Sequence, residues 1–381
     1  MDVIRGTRQA ANAARAPIRF EALDSWRGLA ALTVLLFHAQ IASHIRDFPI
    51  VRAGEALVDF FFVLSGFVIA HAYMDRLRNG QDIGRFLVLR LGRIYPLHLF
   101  MLGLFLVFEA AKASLPGLTN PADPAFSEGN HPATLVSNIL LLHSARPDGL
   151  LTWNTPSWSI SAEFIAYVAF AAAALFMRRQ IGLICAATVV LAPLALFLVA
   201  PHGMQSTADF GAVRALFGFA AGVLIYCLAR PALLESRRED GTSTSGPASL
   251  RWTLAETAVV AITAILLVAT PGTVFAYAMP LLYCAVVLVF AVERGWVSRL
   301  MRIRPLLFLG AISYSLYMTH MFVLLRMTNL ARLSDKALGT EWVSQLGRSV
   351  RYGGGIDLGS LWLGDLAMLL AVAITAAMSW L

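Results

Sequence analysis

Long runs of apolar residues, separated by short polar stretches, dominate this chain. A helix needs about 20 apolar residues to cross a bilayer, and the runs approach that length. They predict helices over residues 26–45, 56–74, 94–113, 157–177, 181–200, 211–229, 252–270, 274–292, 306–328 and 359–381. We therefore predict an all-α fold, a polytopic membrane helical bundle with about ten transmembrane helices that lies in a lipid bilayer.

Composition supports a membrane protein and argues against a nucleic-acid partner. Hydrophobic residues make up 58% of the chain and charged residues only 14%, which is too little charge for the surface of a soluble protein of 381 residues. The net charge is +7, but a nucleic-acid-binding face needs its basic residues gathered on one surface. Here they form short clusters between apolar runs, so we predict no nucleic-acid partner.

The positions of the arginines predict the orientation of the bundle. They cluster in the N-terminal segment and after the second, fourth, sixth and eighth predicted helices, which the positive-inside rule assigns to the cytoplasm. Residues 1–24 are thus a predicted cytoplasmic segment, 114–156 an extracytoplasmic loop, and 230–251 a cytoplasmic linker. Both termini are expected in the cytoplasm. The basic loop 329–358 is the exception, because this scheme places it outside.

The first predicted helix carries an arginine and a histidine with only apolar or small residues between them. Arg27 and His38 lie eleven residues apart in RGLAALTVLLFHA. The helical rise separates them by ~16 Å, about half the hydrocarbon thickness. If Arg27 lies at one interface, His38 is expected near the midplane, where ionisable groups are costly and usually functional. A polar pair that only joins helices is the alternative.

Five segments in order resemble the acyltransferase family 3 integral-membrane O-acyltransferases. They are LDSWRGLAALTVLLFHA, VDFFFVLSGFVIA, RLGRIYPLH, NTPSWSISAEFIAY and GAISYSLYMTH. The resemblance covers nearly the whole chain and makes residues 25–381 an acyltransferase domain. It implies transfer of an acyl group, commonly acetyl, from cytoplasmic acyl-coenzyme A to a hydroxyl of a carbohydrate or related metabolite. One departure is Phe164, where many relatives carry a second acidic residue.

Two residues are the predicted catalytic groups. A hydroxyl that attacks a thioester must lose its proton, and neutral imidazole suits that task near pH 7, which makes His38 the candidate base. A covalent acyl-histidine is the alternative, and the sequence leaves both open. Glu163 is placed ~9 Å into the membrane on the fourth predicted helix and is expected to orient His38. A purely structural ion pair is the other interpretation of Glu163.

Six residues are the predicted donor-binding set. Arg90 and Arg93, three residues apart at the predicted start of a helix, would share a face and bind the phosphates of coenzyme A, although ordinary positive-inside anchoring would also explain them. Arg27 is assigned to the same set. Ser65, Gly66 and Phe67 are expected near mid-membrane, where glycine permits close approach of a thin ligand or of another helix.

Six further residues, Asp59, Trp158, Ser159, Tyr314, Tyr317 and His320, are the predicted acceptor-binding set. Spacing puts the last three on one helical stripe. Helix packing through hydrogen-bonded tyrosines, pairing of Asp59 with a basic group, and Trp158 as an interface anchor are the structural alternatives. A second proton-transfer role is the other interpretation of His320.

The predicted protein is a multi-pass enzyme of the inner (plasma) membrane. It uses acyl-coenzyme A, most simply acetyl-coenzyme A, as a co-substrate and has no permanently bound cofactor and no metal site. The acceptor is a carbohydrate such as exopolysaccharide or a lipopolysaccharide O-antigen. Two alternatives stay open: a proton-coupled secondary transporter, and the same acyl transfer onto an antibiotic or lipid precursor.

Overall fold

The computed structural model describes residues 19–115, 124–146, 148–239, 249–344 and 354–380. Ten long helices form its body, as predicted. They are α1 Glu21–His38, α2 Leu57–Tyr73, α3 Gly80–Ser114, α4 Trp158–Phe176, α5 Ile181–Leu198, α6 Gly211–Glu239, α7 Leu250–Ala269, α8 Met279–Val292, α9 Arg304–Leu338 and α10 Leu361–Trp380. Nine helical segments of the described chain are long and apolar enough to cross a membrane, which confirms a helical membrane bundle.

The α1 helix is not among these nine segments, and it differs from its predicted range of 26–45. It begins at Glu21 and ends at His38, so His38 is its last residue and not a mid-helix position. The early start is explained by Glu21 and Asp24 in the first turn, because carboxylates there complement the helix dipole. Glu21 also accepts a hydrogen bond from Arg302 at 2.9 Å.

Two helices, α3 and α9, exceed their predicted lengths the most. The α3 helix begins at Gly80, where the side chain of Asn79 caps it by accepting a hydrogen bond from the Asp82 amide at 2.9 Å. Arg90 and Arg93 therefore lie inside α3 and not at its start. The α9 helix continues to Leu338. Gly339 follows as its C-terminal cap, with a left-handed backbone (φ +69°) that suits glycine.

Shorter elements join the long helices. Single helical turns occur at His44–Asp47, Pro49–Arg52, Leu135–Ile139 and Trp296–Met301, with 3-10 turns at Gly54–Ala56, Glu128–Asn130, Pro132–Thr134, Thr155–Ser157, Arg178–Gln180, Gly203–Gln205 and Val274–Ala278. Two short antiparallel strands, β1 Val343–Ser344 and β2 Gly355–Ile356, follow α9. The Ile356 amide donates to the Gln40 carbonyl at 2.7 Å, so β2 is joined to the chain just after α1.

The predicted connections are partly helical. The segment 114–156 contains the short turns described above, and the linker 230–251 is helical as far as Glu239 and again from Leu250. Residues 1–18 of the N-terminal segment and 240–248 of the linker lie outside the described residues.

Glycines allow the central helices to touch backbone to backbone. The α1 and α9 helices meet at Gly28 and Gly310, where an added Cβ on Gly28 would lie 2.6 Å from the Gly310 nitrogen. The α2 and α6 helices meet at Gly66 and Gly222, where added Cβ atoms would lie 2.0 Å from the carbonyl oxygens of Phe219 and Val63. Neither contact can be relieved by rotating a side chain.

We expect Gly222→Ala to destabilise the bundle strongly, because the methyl group would force α2 and α6 apart. Overpacking typically costs about 1–3 kcal/mol, and a backbone collision lies at the upper end or beyond. Thermal unfolding in detergent measures the effect. Gly103→Ala is the control, since nothing lies within 4 Å of a Cβ built at Gly103. Equal stability of the two variants would contradict this packing.

Candidate active site

A cavity of about 140 Å³ lies among α1, α2, α3, α4 and α9. Its polar lining consists of three arginines, one carboxylate and six hydroxyl groups, and its remaining lining is apolar. These polar residues are Arg27, Ser65, Arg90, Arg93, Ser159, Glu163, Tyr167, Ser313, Tyr314 and Tyr317. We call it the arginine-lined cavity. It brings together eight of the residues that the sequence analysis selected.

The three arginines come from two helices and differ in their surroundings. Arg27 donates to Ser313 Oγ at 2.8 Å and to the Gly310 carbonyl at 3.0 Å, which fixes its guanidinium beside α9. Arg90 donates to the Tyr73 hydroxyl at 2.9 Å. Arg93 is exposed. Although Arg90 and Arg93 lie within α3 and not at its start, both line the cavity, as their three-residue spacing predicts.

Glu163 forms a compact cluster with two hydroxyl groups. Ser65 Oγ donates to Glu163 Oε1 at 2.6 Å, and the Tyr167 hydroxyl donates to the same oxygen at 2.5 Å. Ser65 Oγ and the Tyr167 hydroxyl are 3.1 Å apart. Glu163 is thus held by Ser65 of α2 and by Tyr167 of its own helix. The structure places it beside these two residues, and not beside His38 as the sequence predicted.

Three of the predicted acceptor residues line the same cavity. Ser159 Oγ donates to the Tyr317 hydroxyl at 2.9 Å, which links α4 to α9. The Tyr314 hydroxyl donates to the carbonyl of Ile94, a residue of α3, at 2.5 Å. Their polar atoms therefore hold the cavity walls together as well as facing its interior.

His38 lies outside the arginine-lined cavity. It lines a smaller cavity with Gln40, Met321 and Ile356, among others, beneath the strand β2. Its Nδ1 is 2.9 Å from the Val34 carbonyl, and its ring centroid is 5.0 Å from that of His320. The predicted pair of catalytic residues, His38 and Glu163, is thus divided between two cavities.

Aromatic contacts connect the two cavities. The His320 ring lies 5.0 Å from His38 and 5.7 Å from Tyr317, which lines the arginine-lined cavity. His320 is fully buried, with its Nδ1 2.6 Å from the Tyr317 carbonyl. It contacts His38 and does not line the arginine-lined cavity, so its acceptor-binding or proton-transfer role stays a prediction.

Asp59 and Trp158 are also placed away from the cavity. Asp59 accepts two hydrogen bonds from Arg214 of α6, at 2.8 and 3.0 Å, and both side chains are almost fully buried. The Arg214 guanidinium lies 5.5 Å from the Trp158 ring centroid. Asp59 thus pairs with a basic group, the alternative that the sequence left open, and the contacts among Asp59, Arg214 and Trp158 join α2, α4 and α6.

Removal of one partner from this ion pair is expected to be costly. Asp59→Asn removes the carboxylate that is hydrogen-bonded to the buried Arg214 charge, and such a loss typically costs about 3–5 kcal/mol. Thermal unfolding in detergent measures the change. The exposed pair formed by Asp75 and Arg230 provides the control, because Asp75→Asn removes a solvated ion pair that contributes little. Similar losses in both variants would contradict the assigned role.

Gly66 and Phe67 likewise lie outside the cavity. Gly66 contacts the α6 backbone, as described above, and Phe67 is fully buried with its ring 5.4 Å from Phe20 and 5.8 Å from Tyr226. Both are corrected from donor contacts to helix packing, the alternative that the sequence left open. Ser65 alone of the three lines the cavity.

Three polar residues in or near the site were not predicted from the sequence. Tyr167 follows Glu163 by four residues and so shares its helical face, a signal that was available. Arg214 was also detectable, as a charge inside an apolar run. Ser313, which binds Arg27, precedes the predicted tyrosine stripe directly, but an isolated serine in a helix carries no comparable signal.

The segment after α3 forms a buried polar layer next to these helices. His143 stacks on His98 with ring centroids 5.6 Å apart, and its Nε2 lies 3.1 Å from Ser157 Oγ. Burial, with a further contribution from His98, lowers the pKa of His143 to about 4, so this ring is neutral at pH 7. The layer contacts the start of α4 and so helps to position Ser159 and Glu163.

Comparison with known proteins decides the family. The Acyltransferase domain family matches residues 20–380. The chain belongs to acyltransferase family 3. It is therefore an acyl-transferring enzyme and a multi-pass membrane protein, which confirms the resemblance and the enzyme class predicted from the sequence. No solved structure matches the chain.

Two curated proteins are similar to this chain, with about a third of the aligned residues identical. "Acyltransferase MdmB" from Streptomyces mycarofaciens is 32% identical over 164 residues, 40% of this chain and 38% of that protein. "Protein 2 in picA locus" from Rhizobium radiobacter is 34% identical over 185 residues, 46% of this chain and 94% of that protein. The match thus spans about two-fifths of the length of MdmB.

Proposed function

We propose that this enzyme transfers an acyl group, most simply acetyl, from cytoplasmic acyl-coenzyme A to a hydroxyl of an extracytoplasmic carbohydrate. An exopolysaccharide or a lipopolysaccharide O-antigen is such an acceptor. In this proposal the chain lies in the inner membrane with both termini in the cytoplasm, following the distribution of its arginines. Acyl-coenzyme A is a co-substrate, and no cofactor stays bound.

The observation that carries the proposal is the meeting of Arg27, Arg90 and Arg93 with Ser65 and Glu163 around one cavity. Coenzyme A carries phosphates that pair well with guanidinium groups, and its thioester is the group to be attacked. Three positive charges and one negative charge give the lining a net positive charge that suits the anionic donor. Exposed Arg93 provides the entrance, and the Glu163 cluster lies where the thioester would react.

The size of the cavity supports a short acyl group. An apolar cavity of about 150 Å³ holds benzene, which has six carbon atoms. This cavity is about 140 Å³, so an acetyl group and the end of the pantetheine arm fit within it, while the nucleotide of the donor would stay outside.

His38 is proposed to act on the acceptor hydroxyl. Its place at the end of α1 beneath β2 supports an approach of the acceptor from that side, separate from the arginines of the donor site. Membership of an acyltransferase family favours acyl transfer over the transporter alternative. An antibiotic or lipid precursor remains the alternative acceptor, and comparison of acceptors in the assay described below separates these cases.

We expect Arg93→Ala to raise the KM for acyl-coenzyme A about tenfold or more with a smaller change in the KM for acceptor, because a charge-assisted bond to phosphate contributes about 1.5–3 kcal/mol. Arg93→Lys should restore only part of the affinity, since the bidentate geometry is lost. Initial rates of coenzyme A release at varied donor concentration measure this effect.

Arg85→Ala is the matched control, because Arg85 is an exposed arginine of the same helix that does not line the cavity. An unchanged donor KM in Arg93→Ala, or an equal change in Arg85→Ala, would show that these arginines only anchor the helix.

A further inference from the structure

We propose that Ser65 carries the acyl group as a covalent ester between donor and acceptor, an inference that rests on the proposed function. Three features of the described residues lead to it: the direction of the Ser65 hydroxyl, the base beside it, and the separation of His38 from the donor cavity.

The Ser65 hydroxyl is directed away from its own helix. Hydroxyl groups inside helices commonly bond the carbonyl four residues earlier, as Thr33 and Thr263 do here at 2.9 and 2.6 Å. Ser65 Oγ instead crosses to α4 and donates to Glu163 Oε1 at 2.6 Å. Ser65 is half-buried and lines the arginine-lined cavity, so this hydroxyl faces the place where a thioester would enter.

The partner of the hydroxyl is a suitable base. A serine nucleophile needs an adjacent base within about 2.6–3.2 Å, held by a third group, and Glu163 meets the distance. Tyr167 supplies the third group, since its hydroxyl donates to the same carboxylate oxygen at 2.5 Å. Ser65, Glu163 and Tyr167 thus form a nucleophile, its base and a positioning residue.

The alternative nucleophile is poorly placed for the donor. His38 lies outside the arginine-lined cavity, at the far end of α1 from Arg27, ~16 Å along the helix. The Ser65 hydroxyl therefore lines the donor cavity, and His38 does not.

In the first step, Ser65 Oγ attacks the thioester carbonyl carbon while its proton passes to Glu163. The C–S bond breaks, an ester forms on Ser65, and Glu163 passes the proton to the sulfur, so that coenzyme A leaves as a thiol. In the second step, the acceptor oxygen attacks the ester carbonyl and its proton passes to Glu163, which lies beside the Ser65 oxygen. The bond to Ser65 Oγ breaks, and Glu163 returns the proton to that oxygen.

Exchange of labelled coenzyme A into acyl-coenzyme A, without acceptor, tests the first step alone. Purified enzyme is incubated with acetyl-coenzyme A and radiolabelled coenzyme A. A covalent intermediate permits exchange, whereas direct transfer does not. We expect exchange in the wild type, its loss by at least a hundredfold in Ser65→Ala, and its retention in His38→Ala. Ser315→Ala is the control: its half-buried hydroxyl bonds the Ser379 carbonyl of α10, away from the cavity.

Two measurements keep the test independent of folding. Peptide mass spectrometry of wild-type enzyme quenched after acetyl-coenzyme A should locate the acetyl group on Ser65. Ser65→Cys should keep exchange and trap a thioester, which neutral hydroxylamine cleaves far faster than the oxygen ester of the wild type. A merely structural serine would not change the chemistry of the trapped bond.

Exchange that survives in Ser65→Ala, or an acetyl group located on His38, would overturn the inference. So would wild-type enzyme that acylates its acceptor without exchange and without a labelled peptide, although the proposed function would then stand. Wild-type enzyme that neither acylates an acceptor nor releases coenzyme A would overturn the proposed function together with this inference.

Discussion

Glu163→Gln is expected to lower the turnover number of acyl transfer about 10²–10⁴-fold, the range associated with a general acid or base. The amide keeps the size of the side chain and can still accept hydrogen bonds from Ser65 and Tyr167, which now donate to Oε1 at 2.6 and 2.5 Å. It cannot take the proton of the Ser65 hydroxyl. Turnover should therefore fall while the KM for acyl-coenzyme A changes little.

Steady-state rates on purified enzyme in detergent or vesicles measure this prediction. Glu21→Gln is the control, because Glu21 pairs with Arg302 near a helix end, away from the arginine-lined cavity. Turnover within a few-fold of the wild type in Glu163→Gln would remove Glu163 from the chemistry and leave it a structural role.

His38→Ala is expected to abolish acylation of the acceptor while membrane insertion and protein level stay unchanged. His38 closes α1 and is half-buried beside His320, so loss of the ring leaves helix contacts such as Gly28 with Gly310 in place. Loss of the ring removes the group proposed to act on the acceptor hydroxyl, an effect of about 10²–10⁴-fold.

Acyl content of whole-cell polysaccharide, together with an immunoblot of the membrane fraction, measures this outcome. His202→Ala provides a histidine control, since His202 has a largely exposed side chain paired with Asp209 in the connection after α5. Near-normal acylation in His38→Ala would exclude a catalytic role for His38.

The fold followed from hydropathy because apolar length is a direct requirement of the bilayer. Helix ends were less predictable, since they depend on polar groups satisfied from elsewhere. The start of α1 at Glu21 depends on Arg302, which is 281 residues away in sequence. The α3 helix extends back to Gly80 through a basic stretch that hydropathy assigned to a connection.

The site was predictable where the signal lies within one helix. The spacing of Arg90 and Arg93 placed both on one face, and both line the cavity. Pairings between helices were not predictable. Asp59 pairs with Arg214, 155 residues away in sequence, and was predicted to bind the acceptor. Glu163 pairs with Ser65, 98 residues away, and was predicted to orient His38.

The most direct test of the account is a sided assay in sealed vesicles. Purified enzyme is reconstituted, and acetyl-coenzyme A is supplied on the face that carries the arginine-rich connections, with a carbohydrate acceptor on the opposite face. We predict free coenzyme A on the donor face and acylated carbohydrate on the acceptor face, both reduced in Arg93→Ala and in Glu163→Gln. Intact thioester with every carbohydrate tested, or acylation only of acceptors on the donor face, would contradict the account.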